Sequence, residues 1–319
     1  MISPKVVVVG AGAFGKNHVR TFAQLNALRG VVDLNQDILD SVKADYPQAA
    51  TYASVEEALA DDASSSFVVA TPAPYHFDIA KQIISAKRHV LVEKPMTLQA
   101  EQSRELVMLA KQHDVQLMVG HLLLFQPFIN WFHEFMGSND MGKVLRISTQ
   151  RSKLGTVRDS ENVWWSFAPH DISVILNLLG SPSIKSVAAH GAKVYQDGIE
   201  DDVHAEICFD GGATAHIQSS WMWPDNTRRC TIMCEKGMLI YDEVAMTVTV
   251  YKSNIDADLK HHFDNEPQLI ELPRAQPLEL ECQHFLDCIA GSFTPMTDGQ
   301  NGLAVVEVLE QVQNILDEQ

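Results

Sequence analysis

The feature that most constrains the fold is a glycine-rich loop close to the start of the chain. An apolar run at residues 5–9 stops at Gly10-Ala11-Gly12-Ala13-Phe14-Gly15, and residues 16–28 show a helical pattern. In such a loop the first glycine permits a tight turn, the second lets a pyrophosphate approach the backbone, and the third lets the helix pack on the strand. The helix N-terminus also attracts phosphate groups. The sequence therefore predicts a dinucleotide site contacted by Gly10, Gly12, Ala13, Phe14 and Gly15.

An acidic residue indicates which dinucleotide this site accepts. A second apolar strand, residues 30–32, ends at Asp33, which lies 23 residues beyond Gly10 (33 − 10). A carboxylate at this position accepts hydrogen bonds from the adenosine ribose hydroxyls and repels a 2′-phosphate. We therefore expect NAD as the cofactor instead of NADP.

Predicted strands and helices alternate up to residue 119. Four further apolar strands are expected at residues 51–52, 67–70, 89–92 and 115–119, with helices between them. One helix begins at Ser54, where Ser54-Val55-Glu56-Glu57 matches a capping box. Six strands alternating with helices predict an α/β fold, a doubly wound parallel sheet that forms a dinucleotide-binding Rossmann domain over residues 1–119.

Residue 120 marks a change to longer segments in which apolar and polar residues alternate. Such segments are typical of strands, and they occur at residues 144–148, 186–194, 203–209, 213–219, 229–235, 237–241 and 247–251. They predict a mostly antiparallel open sheet in a second, α+β domain over residues 120–319. A helix is predicted from Pro169 to Leu179, and a last helix at residues 301–316 is expected to pack back near the first domain.

Overall composition argues against several classes of partner. The net charge of −17 at pH 7 disfavours nucleic acids and anionic membranes. No apolar run approaches the roughly 20 residues of a membrane span, and the chain start lacks the layout of a signal peptide. The five cysteines include no Cys-x-x-Cys pair, so neither a zinc site nor a disulfide framework is expected. These features predict a cytoplasmic protein without a metal.

The tripeptide Glu93-Lys94-Pro95 directly follows the strand predicted at residues 89–92. In open parallel sheets ligands bind outside the carboxyl ends of the strands, where this acid and amine would lie. Pro95 restricts Lys94 to extended backbone conformations and so limits where the amine points. A solvated Lys–Glu pair at a strand exit is the alternative interpretation of the same residues.

Together these motifs resemble the Gfo/Idh/MocA oxidoreductases, a family that includes glucose–fructose oxidoreductase and inositol dehydrogenase. The resemblance rests on the glycine loop, on Ala70-Thr71-Pro72 followed by His76, on residues 89–95, and on Gly120-His121. Residues 155–158 and 162–172 look most like the nucleotide-sugar branch, whose members oxidise the C3 hydroxyl of UDP-N-acetylglucosamine or of its uronate.

The resemblance implies a nicotinamide bound over the first sheet, with Lys94 beside the reacting carbon and His170 as the acid–base partner. It also implies association into a homodimer or homotetramer through the open face of the second sheet. Outside the glycine loop, the cofactor contacts that we expect are Asp33, Thr71, Pro72, His76, Glu93, Lys94 and His121.

The chemistry of alcohol oxidation fits this pair of residues. A hydride must leave carbon while a proton leaves oxygen, and a cation such as Lys94 stabilises the developing alkoxide. Histidine is the side chain best suited to accept a proton near neutral pH. If Pro169 is the first helical residue, His170 lies in the first helical turn, where the helix dipole favours the neutral base. A helix-capping or interdomain histidine is the alternative.

A nucleotide-sugar substrate carries a pyrophosphate, which needs cations in its pocket. Arg151, Lys153 and Arg158 precede His170 and are the candidates, although solvated surface charges would show the same pattern. Trp164 is a candidate for stacking on a sugar or uracil face, or else a core residue. The reaction implied by the resemblance is oxidation of UDP-N-acetylglucosamine at C3. The alternatives are its uronate, inositol or a monosaccharide as substrate, and a regulator that binds NAD without turnover.

Overall fold

The computed structural model of the chain describes residues 5–155, 157–255, 258–263, 266–291 and 293–319. Contacts between residues divide the chain into two compact units. The first unit comprises Met1–Phe125 and Gln276–Glu307, and the second comprises Gln126–Ala275 and Val308–Gln319. The boundary predicted after residue 119 lies close to the first of these divisions. Residues 276–307, which the sequence pattern placed in the second domain, make their contacts within the first unit.

Strands and helices are numbered in chain order over the part of the chain that the structure describes. The strands are β1 (Val6–Val9), β2 (Leu28–Val32), β3 (Ala50–Tyr52), β4 (Ser66–Val69), β5 (His89–Glu93), β6 (Leu117–Gly120), β7 (Val144–Ser152), β8 (Ile184–Ala192), β9 (Asp202–Phe209), β10 (Thr214–Ser220), β11 (Thr227–Cys234), β12 (Gly237–Asp242), β13 (Thr247–Ile255), β14 (His261–Phe263) and β15 (Gln268–Glu271). The α-helices are α1 (Gly15–Gln24), α2 (Gln36–Asp45), α3 (Val55–Leu59), α4 (His76–Ser85), α5 (Ala100–His113), α6 (Pro127–Ser138), α7 (Val163–Leu179), α8 (Pro277–Ile289) and α9 (Gly299–Asp317).

The first unit is built on a parallel sheet. Among its described residues, six strands lie in the order β3-β2-β1-β4-β5-β6, as the alternation of strands and helices predicted. The central strands β1 and β4 are fully buried because helices cover both faces of such a sheet. The chain reverses its direction of winding between β1 and β4, and this reversal opens a crevice at the carboxyl ends of the strands.

Local sequence signals set the helix starts in this unit. The Asn35 side chain accepts a hydrogen bond from the backbone N–H of Asp37 (2.9 Å) and caps α2. The Ser54 hydroxyl accepts from the N–H of Glu57 (3.2 Å), while the Glu57 carboxylate accepts from the N–H of Ala53 (2.9 Å). The predicted start of α3 at a capping box is therefore confirmed.

The second unit is built on a mixed sheet that is mostly antiparallel. Its described strands follow the order β14-β13-β12-β11-β7-β10-β9-β8, and β15 pairs with β13. The pair β7–β10 is parallel, and the other pairs are antiparallel, which agrees with the predicted open sheet. Side chains alternate along β9, where Val203 and Ile207 are buried and His204 is exposed. Helix α7 packs against β7, β9 and β10.

Helix α7 differs from its prediction in a way that matters for the site. It begins at Val163, not at Pro169, because Asn162 caps it by accepting a hydrogen bond from the N–H of Trp165 (3.1 Å). Gly180 ends the helix in the left-handed conformation, with φ of 72°. Pro169 lies inside the helix, where it removes one backbone hydrogen bond.

The last helix, α9, contains the predicted helix at residues 301–316. Its residues up to Glu307 belong to the first unit, and the residues from Val308 onward belong to the second. Over the stretches that the structure describes, no helix combines the length and the apolar character that crossing a membrane requires.

Candidate functional site

A cavity of about 660 Å³ lies at the carboxyl ends of β1, β2 and β4. The predicted cofactor contacts that line it are Gly10, Gly12, Ala13, Phe14, Asp33, Thr71 and Pro72. Strand order explains why these separate segments meet, because all three strands are parallel and end at the same edge. The cavity therefore brings together most of the dinucleotide site expected from the sequence.

The glycines of the loop have distinct structural roles. Gly10 has φ of +85°, a conformation that residues with a Cβ rarely adopt. A Cβ on Gly15 would lie 1.9 Å from the carbonyl oxygen of Gly10, so only glycine lets α1 start this close to the loop. A Cβ on Gly12 would meet no atom within 4 Å, which leaves the loop backbone open to an approaching phosphate.

Asp33 connects the end of β2 to the glycine loop. Its carboxylate accepts hydrogen bonds from the backbone N–H groups of Ala11 and Asn35, each at 2.9 Å. Each carboxylate oxygen keeps a second lone pair that can accept from a ribose hydroxyl. Among the described residues that line the cavity, none is Lys or Arg, so no cation is placed there for a 2′-phosphate.

Glu93 and Lys94 lie at the carboxyl end of β5. The backbone N–H of Lys94 donates to Glu93 Oε2 (3.2 Å), and Lys94 itself is half-buried and precedes a cis peptide bond to Pro95. His18 Nε2–H, from α1, donates to Glu93 Oε1 (2.7 Å). A Cβ on Gly120 would lie 3.0 Å from the Glu93 carboxylate, so β6 fixes this side chain from the other side. The acid thus orients the backbone from which Lys94 projects.

His76 connects two loops of the site. Its Nδ1 lies 2.8 Å from the carbonyl oxygen of Pro95, and its Nε2 lies 2.8 Å from that of Thr71. Burial lowers the pKa of His76, although both carbonyl groups oppose this effect. A neutral imidazole carries one N–H, so it donates to one of these two carbonyl oxygens, and His76 lies between the turn after β4 and the segment after Lys94.

His121 follows β6 and is buried. Its Nδ1–H donates to Asn301 Oδ1 (2.6 Å), an interaction that reaches from β6 to α9. Burial lowers the pKa of His121 to about 4, although the hydrogen bond to Asn301 opposes this effect. At neutral pH His121 is uncharged. Its pKa also responds to the charges of Glu93 and Lys94, which places it in the same polar region.

His170 lies in the interior of α7, not in its first turn as the sequence predicted. Seven helical residues precede it, and the field of a helix terminus falls off within the first turn. The expected dipole effect on His170 is therefore wrong. The ring is half-buried, and the backbone carbonyl of His170 accepts a hydrogen bond from the Ser173 hydroxyl (2.8 Å).

Arg151 is a buried part of the second unit, and its side chain is not available to a pyrophosphate. Its Nε and Nη2 donate to the two oxygens of Asp171 (2.8 and 3.1 Å), and Nη2 also donates to Glu243 (2.9 Å). Burial opposes the charge of Arg151, but the two carboxylates outweigh it and raise the pKa of the guanidinium. Arg151 therefore orients Asp171, the neighbour of His170, and its predicted substrate contact is wrong.

Trp164 is also a core residue. It is fully buried, and its indole N–H donates to the backbone carbonyl of Leu309 (3.1 Å). The predicted stacking of Trp164 on a substrate is wrong because no face of the ring is accessible. Lys153 is half-buried just beyond the end of β7, and Arg158 is exposed and paired with Glu161. Both side chains are thus at least partly exposed to solvent.

Two groups of buried ionisable residues escaped the sequence reasoning. His18 and Glu281 surround Glu93, and Asp171 and Glu243 surround Arg151. The position of His18, three residues after the last loop glycine, puts it on the face of α1 toward the sheet, and helical spacing would have revealed this. Nothing in the local sequence distinguishes Glu281 from the other acids of α8.

Comparison with known proteins covers both units. Residues 4–121 match the family model described as an oxidoreductase family with an NAD-binding Rossmann fold, and residues 132–240 match the GFO/IDH/MocA C-terminal domain. The chain is 25% identical to UDP-N-acetylglucosamine 3-dehydrogenase of Acidithiobacillus ferrooxidans, over 98% of this chain and 97% of that protein. A solved structure of that dehydrogenase is similar with a TM-score of 0.88 and 24% identity, covering 100% of this chain and 99% of its own.

Two further solved structures share the fold. GenD2 from gentamicin A biosynthesis, in complex with NAD, has a TM-score of 0.85 at 24% identity, with 100% of this chain and 95% of that chain covered. The WlbA dehydrogenase from Bordetella pertussis, in complex with NADH and UDP-GlcNAcA, has a TM-score of 0.80 at 22% identity, with 99% and 97% covered. At such identities the likeness is one of fold.

The parallel sheet, the glycine loop and the acid after β2 define a dinucleotide-binding oxidoreductase. The chain belongs to the GFO/IDH/MocA oxidoreductase family, and its cofactor is NAD.

Proposed function

We propose that this oxidoreductase transfers a hydride from the C3 hydroxyl of UDP-N-acetylglucosamine to NAD and forms the 3-keto sugar. The observation that carries the proposal is the similarity to UDP-N-acetylglucosamine 3-dehydrogenase, which extends over 98% of this chain. The first unit supports it, because the NAD cavity and Lys94 lie at the carboxyl ends of strands in one sheet.

In this proposal two residues carry the chemistry. Lys94 acts as the cation that stabilises negative charge on the substrate oxygen as the hydride leaves. His170 accepts the hydroxyl proton, and Arg151 holds the neighbouring Asp171 in place. NAD, when bound, supplies the hydride acceptor.

The pyrophosphate of the substrate needs a cation, and Arg151 is no longer a candidate because its guanidinium is buried between Asp171 and Glu243. Lys153 and Arg158 remain, because both are at least partly accessible. Arg158 is paired with Glu161, three residues later, in an exposed ion pair that holds the guanidinium only weakly. We therefore expect Arg158 to exchange Glu161 for a phosphate oxygen when substrate binds.

The uronate of the same nucleotide sugar is the competing substrate. WlbA, a structural relative, was solved in complex with UDP-GlcNAcA. An additional carboxylate requires an additional cation in the pocket. The assay below therefore compares the two sugars directly.

The first test measures reduced-nicotinamide absorbance after NAD is mixed with UDP-N-acetylglucosamine, with its uronate or with myo-inositol. NADP replaces NAD in a control. Because oxidation at C3 is expected to be uphill, each mixture is repeated with an aminotransferase that traps the ketone. A signal with UDP-N-acetylglucosamine and NAD supports the proposal. A signal with inositol alone contradicts it, and silence with every sugar while NAD still binds favours a regulator without turnover.

Variants test the two catalytic assignments. We expect Lys94→Ala and His170→Ala each to lower kcat by about 10²–10⁴-fold, since each removes charge stabilisation or proton transfer. NAD binding should be retained in both. Matched controls are the exposed Lys111→Ala in the first unit and the exposed His133→Ala in the second. Turnover by Lys94→Ala at the parent rate would exclude this mechanism.

We also propose that the chain forms a homodimer or homotetramer through the open face of the second sheet. Exposed side chains of β8 and β9, including Ala188, His190 and Glu206, line a shallow cavity of about 500 Å³ on this face. An Ala188→Arg variant should lower the molar mass measured by light scattering, whereas Asp210→Ala in the turn after β9 should not. A parent protein with the mass of one chain would contradict the assembly.

A further inference from the structure

A cluster of buried ionisable side chains lies in the first unit, outside the NAD cavity. It joins His18 of α1, Glu93 of β5 and Glu281 of α8, and one nitrogen or oxygen from each lies within 4.8 Å of the others. All three residues are buried. The proposed reaction uses none of them directly, although Glu93 adjoins Lys94.

Glu93 is surrounded by groups that stabilise a carboxylate. His18 Nε2–H donates to Oε1 (2.7 Å), and the backbone N–H of Lys94 donates to Oε2 (3.2 Å). Because an ionised carboxylate only accepts, His18 must carry its hydrogen on Nε2. His18 Nδ1 then lies 3.6 Å from the Sγ atom of Cys282, which follows Glu281 on α8.

Glu281 has the opposite surroundings. Among the described residues, neither of its carboxyl oxygens has a hydrogen-bond partner, and its side chain is fully buried. The described groups that face it are His18 from α1, Glu93 from β5 and Cys282 from its own helix. None of these is a permanent cation, so the cluster contains nothing that would balance a second carboxylate.

Two buried carboxyl groups this close cannot both be ionised, and the pair must share one proton. The proton resides on the partner that lacks donors, since hydrogen bonds favour the charged form of the other. We propose that Glu281 is a positioning residue of the NAD site: it holds the proton of a Glu93–Glu281 pair and keeps Glu93 as the single anion beneath Lys94.

The electrostatics of the site support this assignment. Burial, and to a lesser extent the charge of Glu93, raise the pKa of Glu281 well above its usual range. Loss of the Glu281 proton would place a second negative charge beside Glu93. That charge would disturb the His18–Glu93 hydrogen bond and offset part of the positive charge with which Lys94 stabilises the substrate oxygen, so turnover should fall at alkaline pH.

The first experiment needs no substrate. Urea midpoints are measured from about pH 5 to pH 8 for the parent, for Glu281→Gln and for Glu279→Gln, an exposed acid on the same helix. A carboxyl group that stays protonated in the folded protein lowers the free energy of unfolding as the pH rises above the pKa that this group has in the unfolded chain. We therefore expect the midpoint of Glu281→Gln to rise relative to the parent with increasing pH, and Glu279→Gln to follow the parent. Parallel curves for all three proteins would overturn the proposal.

The second experiment rests on the proposed function. With the sugar that the enzyme oxidises, Glu281→Gln should keep kcat within about threefold of the parent near neutral pH, because glutamine mimics a protonated carboxyl group. At alkaline pH the parent should lose turnover that Glu281→Gln retains. A folded Glu281→Gln protein that loses tenfold or more at neutral pH would show that Glu281 acts as an anion. If no sugar is oxidised, the proposed function fails while the urea experiment still decides this inference.

A metal measurement completes the test. Elemental analysis of the purified holoenzyme should find no divalent cation in proportion to the chain. One zinc or manganese ion per chain, lost in Glu281→Gln, would overturn the proposal, because a cation and not a proton would then balance the two carboxylates.

Discussion

Each unit of the molecule buries a cluster of charged side chains, and the two clusters are neutralised in different ways. In the second unit the Arg151 guanidinium donates to both Asp171 and Glu243, and Arg228 donates to Glu243 from the other side (3.0 Å). In the first unit Glu93 and Glu281 lie beside His18, and this cluster of three residues contains no arginine or lysine.

This difference indicates in which cluster the charge changes with pH. A guanidinium stays charged at any pH a protein tolerates, so the network around Arg151 keeps its charge pattern. The first cluster depends on the proton of Glu281, because burial and the charge of Glu93 raise the pKa of that carboxyl group well above its usual range. We therefore expect the second cluster to govern stability and the first to govern how stability and activity vary with pH.

The largest effect is expected from Arg151→Met. This change leaves Asp171 and Glu243 buried, and of the ion pairs among described residues Glu243 keeps the one to Arg228. Removing one partner of a buried ion pair destabilises by roughly 3–5 kcal/mol. Urea denaturation followed by circular dichroism measures the loss. Arg146→Met, on the same strand, removes one hydrogen bond to Thr214 and should cost only about 1 kcal/mol. Equal losses of stability in Arg151→Met and Arg146→Met would contradict the expectation that the buried cluster around Arg151 governs stability.

Acidification should weaken the first unit through His121. Its pKa is about 4 in the fold, below the ordinary value near 6.5, so the folded protein binds this proton less readily than the unfolded chain. Stability that is present above pH 6.5 is then lost as pH falls toward 4, by about 3 kcal/mol in total. His121→Gln should flatten this loss in denaturation curves at successive pH values. If His121→Gln loses as much stability as the parent when the pH falls, His121 is not the cause of this loss.

A moderate effect is expected from Gly120→Ala. The added methyl group would lie 3.0 Å from the Glu93 carboxylate and displace it from His18. Overpacking of this kind costs about 1–3 kcal/mol, and we also expect weaker NAD-dependent turnover. Gly137→Ala is the matched control, since a Cβ in that position of α6 meets no atom within 4 Å. Alanine there should stabilise by about 0.5–1 kcal/mol.

The smallest effect on stability is expected from Arg158→Gln. Its ion pair with Glu161 is exposed, and such pairs contribute at most about 1 kcal/mol. The urea midpoint should therefore stay close to that of the parent. If Arg158 binds the substrate pyrophosphate, KM for the nucleotide sugar should rise while kcat changes little. A large loss of stability would mean that Arg158, like Arg151, is part of the protein core.

Local sequence was sufficient to predict the backbone features around the NAD cavity. The glycine loop, the acid at the end of β2 and the capping box at Ser54 act through backbone geometry within a few residues, and the structure has all three as predicted. The start of α7 was predicted wrongly because proline favours the first helical turn in general. In this chain the Asn162 cap and the buried stripe of the helix override that preference.

The sequence by itself determined the six-strand alternation, the mostly antiparallel second sheet and the family, since each depends on periodicity or on short motifs. The tertiary structure decided which charged side chains are buried and which groups they pair with. Arg151 and Arg158 look alike in the sequence, yet one is buried between carboxylates and the other is exposed. Glu281 meets Glu93 only because α8 returns to the first unit. Burial and pairing depend on contacts between distant segments, and periodicity along the chain does not encode them.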